Sequence, residues 1–199
     1  MHDKIKNLIS KMTLDEKIGQ LQQLSADFFS EDETFITGPK EEFGITDEEI
    51  AMVGSVLGIS GAETVEKVQK KYLEKSRLKI PLLFMADIIH GYRTIFPIPL
   101  ALSQTWNLDL AQEIARISAK EASLEGLHVT FSPMMDLVRD PRWGRVLESF
   151  GEDTLINTLF SSAMIKGYQN GDGELFSQYT LAATAKHYIG YGLAEAGKE

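Results

Sequence analysis

The residues Arg139 to Asp153 read RDPRWGRVLESFGED, with three arginines, four acids, a tryptophan, a proline and two glycines in fifteen positions. Arg139, Arg142 and Arg145 recur every third residue around Trp143. A helix start accounts for the second half, because Glu152 and Asp153 precede an apolar run and acids suit the free N–H groups of a first turn. It does not account for the first half. Pro141 fixes the backbone and Gly144 permits turns that other residues resist. Polar groups converging beside an aromatic are what a binding site requires.

Three further polar positions stand at the ends of apolar runs. Asp87 closes PLLFMAD and leads to His90 and Arg93. Asp136 follows HVTFSP, and Lys186-His187-Tyr188 follows LAATA. Three chemistries fit these types. Asp87, His90 and His187 could hold a metal. Lys186 could form a Schiff base if desolvated. A neutral polyhydroxyl ligand fits every type present: an aspartate accepts from neighbouring hydroxyls, Arg and Lys donate to others, and a Trp or Tyr covers the apolar ring face. The residues alone leave all three open, though with four histidines and no dense His motif the expectation is no metal and no cofactor.

Positioning these groups requires particular elements. Thr13 and Glu16 form a T-x-x-E capping box ahead of Leu14, Ile18 and Leu21 at helical spacing. MVGSVLGI (52–59), PLLFMAD (81–87), HVTFSP (128–133) and LAATA (181–185) read as four buried strands. Helices are expected at about 62–77, with Val65, Val68 and Tyr72 on one face, and at 107–125, with Leu110, Ile114 and Ile117 inward and Gly126 as the stop. A third spans 153–169. Strand and helix in alternation mean parallel β/α units whose strands are covered on both faces. An open doubly wound sheet and a (β/α)8 barrel both satisfy this. No Gly-rich phosphate loop follows a strand, so the nucleotide-binding form of the open sheet has no support. In either architecture active sites are built at strand C-terminal ends, where Asp87, Asp136 and Lys186-His187 fall. A barrel needs eight strands and typically about 250 residues; four strands make about half of one.

Composition bounds the partners. The chain has 199 residues and a net charge of −9, against a nucleic-acid partner. Residues 31–49 carry eight acids against the single Lys40 and read as an exposed acidic segment. No apolar run is long enough to span a membrane. With zero cysteines there is neither thiol chemistry nor disulfide. The charged opening MHDKIKNLISKMTLDEKIGQ is unlike a secretory signal, so a cytoplasmic location is expected.

Three segments together resemble glycoside hydrolase family 3, and its bacterial β-glucosidases above all: ADIIHGYRTIFPIPLALSQTWNLDL, then FSPMMDLVRDPRWGRVLESFGED, then AKHYIGYG with AEAGKE, all preceded by MTLDEKIGQL. The likeness covers nearly the whole chain. It implies a retaining β-glycosidase whose first domain is a (β/α)8-type barrel, followed by a second α/β domain. By this resemblance Asp87 looks like the acid that grips sugar hydroxyls in the innermost subsite, and Arg93 like the arginine that braces it. Arg145 looks like the arginine that donates to hydroxyls, with Pro141, Trp143 and Gly144 setting its geometry. Lys186 and His187 look like the Lys-His pair that does so from the other side. Arg139 and Arg142 take no such role and are expected to pair with Asp140, Glu148 or Glu152. The run KHYIGYG lacks the second histidine of the family's N-acetylglucosamine branch, which favours the glucosidase branch.

A retaining glycosidase needs two carboxyls about 5 Å apart. The family's nucleophile lies in an S-D-W-type motif after the Lys-His pair, and its acid/base lies further on. No Ser-Asp-Trp occurs here, the only tryptophans being Trp106 and Trp143. Both catalytic carboxylates are therefore expected beyond Glu199, in the remainder of the barrel and in the second domain. The chain is then the N-terminal portion of the barrel domain, inactive alone, and it would dimerise through exposed sheet edges. Two alternatives stay open: Asp87 and Asp136 as a catalytic pair, and a sugar-binding or scaffold fragment without catalysis. A family 3 β-xylosidase or N-acetylhexosaminidase is the alternative within the family.

Overall fold

The computed structural model describes residues 2–29, 44–169 and 178–195, and its contacts divide into two compact units, Met1–Met85 and Ala86–Glu199. The first unit holds α1 (His2–Lys11), α2 (Leu14–Gly19), β1 (Gln23–Ser25), α3 (Asp47–Ile50), β2 (Ser55–Leu57), α4 (Ala62–Lys75) and most of β3 (Leu83–Ala86). β1 pairs with β2, and β2 with β3, both parallel. β1 is a fifth strand beyond the four expected. It is three residues long and has no apolar run to announce it.

The Thr13–Glu16 capping box forms as expected. The apolar stripe behind it does not turn inward: Leu14 is 71% exposed and Leu21 89%. α2 instead turns its glycine in. A Cβ on Gly19 would stand 2.7 Å from the Met52 carbonyl oxygen, so only glycine allows this approach. A second capping box, Thr46 with Glu49, starts α3. The last residues of the acidic segment are thus a helix start, not a loop, while 31–43 lie outside the described residues. Val56 and Phe84 of β2 and β3 are fully buried. Tyr72 of α4 is buried beside them, its hydroxyl donating to the Val53 carbonyl at 2.7 Å.

The second unit holds α5 (Pro99–Ser103), α6 (Leu108–Leu124), β4 (Val129–Thr130), α7 (Thr154–Tyr168) and β5 (Ala182–Ala183). Asn107 and Asp153 cap α6 and α7 through their side chains. The inward face of α6 differs from the expected Leu110, Ile114 and Ile117. Ile114 is buried, but Leu110 is 40% exposed, and Ala111, Ala115, Ser118, Ala119 and Ala122 form the rest of the buried face. Small side chains win because α7 lies against this face at Gly167.

β4 and β5 pair in parallel, Val129 with Ala182 and Thr130 with Ala183. Pairing continues past both strands, with Lys186 N–H donating to the Pro133 carbonyl and Met135 N–H to the Lys186 carbonyl. Ala86, where β3 runs out, accepts from Phe131 N–H at 3.1 Å. Residues 87, 134–136 and 186–187 therefore stand just past the C-terminal ends of their strands. Tyr168 anchors the layer beneath, fully buried, its hydroxyl donating to the Ile88 carbonyl at 2.6 Å.

Candidate functional site

Asp87 follows β3 directly, and the main chain beside it is fixed by Ile88 N–H donating to the Thr130 hydroxyl at 3.1 Å. Lys186 follows β5. Its ammonium meets Asp87 Oδ1 at 2.5 Å, with the lysine side chain 12% exposed and the aspartate 48%. The carboxylate thus faces open space while the cation stands behind it. A charge-assisted pair with one exposed partner is ready to exchange part of its bonding for ligand hydroxyls.

His187 lies beside this pair. Its backbone N–H and its ring Nδ1 both bond Asp136 Oδ2, at 3.0 and 2.8 Å. Its Nε2 faces Arg145 Nη1 at 3.4 Å. Arg145 is held from its other edge by a two-pronged pair with Glu148, at 2.7 and 2.6 Å. The Tyr191 ring lies under both groups. His187 meets it edge-on at 4.6 Å between centroids, and the Arg145 guanidinium lies 5.4 Å from its centre. Trp143 closes the layer below, packed edge-on against Tyr191 at 5.3 Å and only 2% exposed.

The sugar-covering role considered for a tryptophan therefore does not fall to Trp143, which is buried with Met134 and Val138. It sets the height of the loop that carries Arg145. Arg142 pairs with Asp140 across a tight turn, as expected, while Glu148 goes to Arg145. Arg139 is exposed and makes no ion pair among the described residues. Asp136, Arg139, Lys186 and His187 line a cleft of about 510 Å³ together with Tyr188 and Leu193.

The structure brings together four of the five expected binding residues: Asp87, Arg145, Lys186 and His187. It does not bring Arg93 to them. Arg93 pairs with Glu125 at 2.6 Å and lies over the Tyr92 ring, and its backbone N–H bonds Glu121. Its partners stand at the C-terminal end of α6, Glu121 in its last turn and Glu125 as its cap. Asp87, His90 and His187 do not form a ligand set either. His90 Nδ1 is 3.1 Å from the Phe96 carbonyl, and no group of three metal-ligating side chains gathers among the described residues. Lys186 spends its amine on Asp87, which leaves no free nucleophile for Schiff-base chemistry.

Residues 13–199 match the family description "Glycosyl hydrolase family 3 N terminal domain". The chain belongs to glycosyl hydrolase family 3. A β-glucosidase from Listeria innocua, solved in complex with glucose, superposes with a TM-score of 0.91 at 49% identity, over 99% of this chain and 28% of that one. The periplasmic beta-glucosidase of Salmonella typhimurium is 39% identical over 197 residues, 98% of this chain and 24% of that protein. The periplasmic beta-glucosidase/beta-xylosidase of Dickeya chrysanthemi is 27% identical, over 96% of this chain and 32% of its own length. The family 3 chain thus spans 24–32% of the length of these relatives. Its parallel β/α units are those of a TIM-barrel-type fold, as its solved neighbours and the family match show.

The expected cytoplasmic location is overturned by the two relatives named periplasmic. That expectation rested on the charged opening segment, and residues 2–19 fold as α1 and α2. Their charge belongs to the exposed faces of these helices.

Sequence reasoning on the family 3 chain missed the supports of the site. Glu148 was legible as the (i, i+3) partner of Arg145. Tyr191 gave no signal, because its partners Trp143 and Arg145 lie more than forty residues away and His187 only four. The Arg145 hydrogen bond is the main cause holding the Glu148 carboxyl below its usual 4.5, with the charges of Arg145 and Lys186 adding to it. A carboxylate depressed in the folded state contributes stability above its unfolded pKa and loses it as pH falls through the folded one. Glu148→Gln should therefore cost about 1 kcal/mol at pH 7, the upper end for a partly exposed pair. The difference from the unaltered chain should shrink in urea melts below pH 4.5. A gap that stays constant down to pH 3 would show that the pair is not what the substitution removes.

Proposed function

We propose that this chain is the sugar-gripping part of a retaining β-glucosidase that removes terminal non-reducing β-D-glucosyl residues, working in the periplasm or outside the cell. The observation that carries the reading is the meeting of two donor–acceptor couples past the C-terminal ends of β3 and β5: Asp87 with Lys186, and His187 with Arg145. Hydroxyls donate and accept at once, and a vicinal diol set against such couples satisfies every group. In this reading Asp87 accepts from sugar hydroxyls, Lys186 and Arg145 donate, and His187 completes the ring of contacts.

The nucleophile and the acid/base are supplied by parts of the protein beyond Glu199. Asp136, the rival for a nucleophile, has the wrong surroundings for attack. Its carboxylate is 4% exposed and its Oδ2 is engaged by both His187 bonds. The test is covalent trapping. Incubated with a 2-fluoro β-glucoside, the 199-residue chain should show no gain of a fluoroglucosyl mass, while the protein extended past Glu199 should show one. A gain on the short chain would place a nucleophile inside it and end the reading. Xylose recognition is a second reading, favoured by the double name of the Dickeya chrysanthemi relative. A chain that binds xylose and glucose equally would support it.

A further inference from the structure

We propose that Asp136 is a positioning residue that fixes one tautomer of His187, so that Nε2 meets the ligand as a hydrogen-bond acceptor. The inference deepens the sugar-binding reading and rests on it for the identity of the ligand.

Two independent neighbours of the imidazole agree. Asp136 Oδ2 accepts the His187 backbone N–H at 3.0 Å, which marks this oxygen as an acceptor. The same oxygen is 2.8 Å from Nδ1, so the ring bond exists only if Nδ1 carries its hydrogen. On the other side, Arg145 Nη1 faces Nε2 at 3.4 Å, and a guanidinium nitrogen has only hydrogens to offer. Nε2 must present its lone pair there. A ring flipped to the other tautomer would set N–H against N–H at Arg145 and lone pair against acceptor oxygen at Asp136.

The carboxylate is built to impose this. It is buried, and its own backbone carbonyl accepts from the Asn157 side chain of α7 at 3.5 Å. Met135 N–H bonds the Lys186 carbonyl at 2.7 Å, so the segment bearing Asp136 and the segment bearing His187 are locked one against the other. Tyr191, edge-on beneath the ring, limits its rotation. Partners behind a ligand-contacting histidine that settle its tautomer act by this logic in metal sites as well.

The consequence is chemical selectivity. A ligand that replaces the long 3.4 Å contact between Arg145 Nη1 and Nε2 meets a donor and an acceptor side by side, which calls for a group that both donates and accepts. A hydroxyl does so. An ether oxygen or a fluorine accepts from Arg145 and leaves Nε2 unmatched.

The experiment reads the ring directly. In the uniformly 15N-labelled 199-residue chain, the His187 side-chain nitrogens are assigned by the loss of their signals in His187→Gln. The expected result is hydrogen on Nδ1 and none on Nε2. Asp136→Ala leaves only the long 3.4 Å Arg145 contact against hydrogen on Nε2, so hydrogen should appear there, whereas Asp136→Asn, which keeps an acceptor oxygen, should hold it on Nδ1. Hydrogen on Nε2 in the unaltered chain overturns the proposal, and so does an Asp136→Ala chain with unchanged tautomer. Should Asp136→Ala fail to fold, the unaltered chain still decides. Glucose and its monodeoxyfluoro analogues give the second readout. One analogue should bind about tenfold more weakly, the loss of a single hydrogen bond, and that penalty should vanish in Asp136→Ala. A chain with hydrogen on Nδ1 that binds no glucose would support the positioning and sink the sugar reading; hydrogen on Nε2 with glucose bound would do the reverse.

Discussion

Asp87→Ala should weaken glucose binding by the 199-residue chain about a hundredfold, while Arg93→Ala should change it less than about twofold, a hydrogen bond to a charged group being worth roughly 1.5–3 kcal/mol and an absent contact nothing. The two residues lie six positions apart in one loop, and the family resemblance gives both to the sugar. The geometry separates them. Asp87 is half exposed at the end of β3 with Lys186 behind it. Arg93 is bound to Glu125 near the end of α6. Removing Asp87 also strands the Lys186 ammonium, which is only 12% exposed, so a loss of about 1–3 kcal/mol of stability should accompany the lost affinity. Lys186→Ala should cost less stability, because the exposed carboxylate it leaves behind regains water. Titration calorimetry with glucose and urea melts on the same four chains check this. An Arg93→Ala chain as impaired as Asp87→Ala would return Arg93 to the site.

The parallel β/α frame was legible because buried strands read as apolar runs. β2, β3, β4 and β5 all fall inside the segments expected, though each is shorter than its run. Asp87 and Lys186-His187 were legible for the same reason: a polar residue at the end of such a run stands where parallel folds place ligands. β1 escaped because its burial is partial and its length is three residues. The helix faces were misread where backbone contact replaced side-chain contact. Periodicity assigns large apolar residues inward, yet α2 buries Gly19 and α6 buries a row of alanines. Small residues carry no hydropathy signal strong enough to outvote a leucine. Trp143 carried two readings, as a cover for a sugar ring and as a residue that sets the geometry of Arg145, and burial favours the second. Its size and its charged neighbours suggested a ligand platform, and the packing of Tyr191 shows that it supports the loop from below.

That same preference for small residues fixes the largest expected effect on stability. Gly167→Val should destabilise the chain by about 3 kcal/mol, the upper range for forcing added carbon into a close-packed contact. Helix propensity alone predicts the reverse, since glycine inside a helix is about 1 kcal/mol worse than alanine. The contact decides the sign. A Cβ at Gly167 would stand 2.2 Å from the Gln112 carbonyl oxygen and 2.6 Å from the Ala115 Cβ. The first of these is backbone in the middle of α6, so the helix as a whole must move. α6 could retreat only by opening the buried seam of Ala111, Ala115, Ser118 and Ala119. Gly167→Ala separates the two terms, because it adds the propensity gain and the smallest possible clash. Its urea midpoint should still fall below that of the unaltered chain. A rise would mean that α6 and α7 stand further apart than the contact at Gly167 requires, and the account of why α6 buries alanines rather than Leu110 would fall with it.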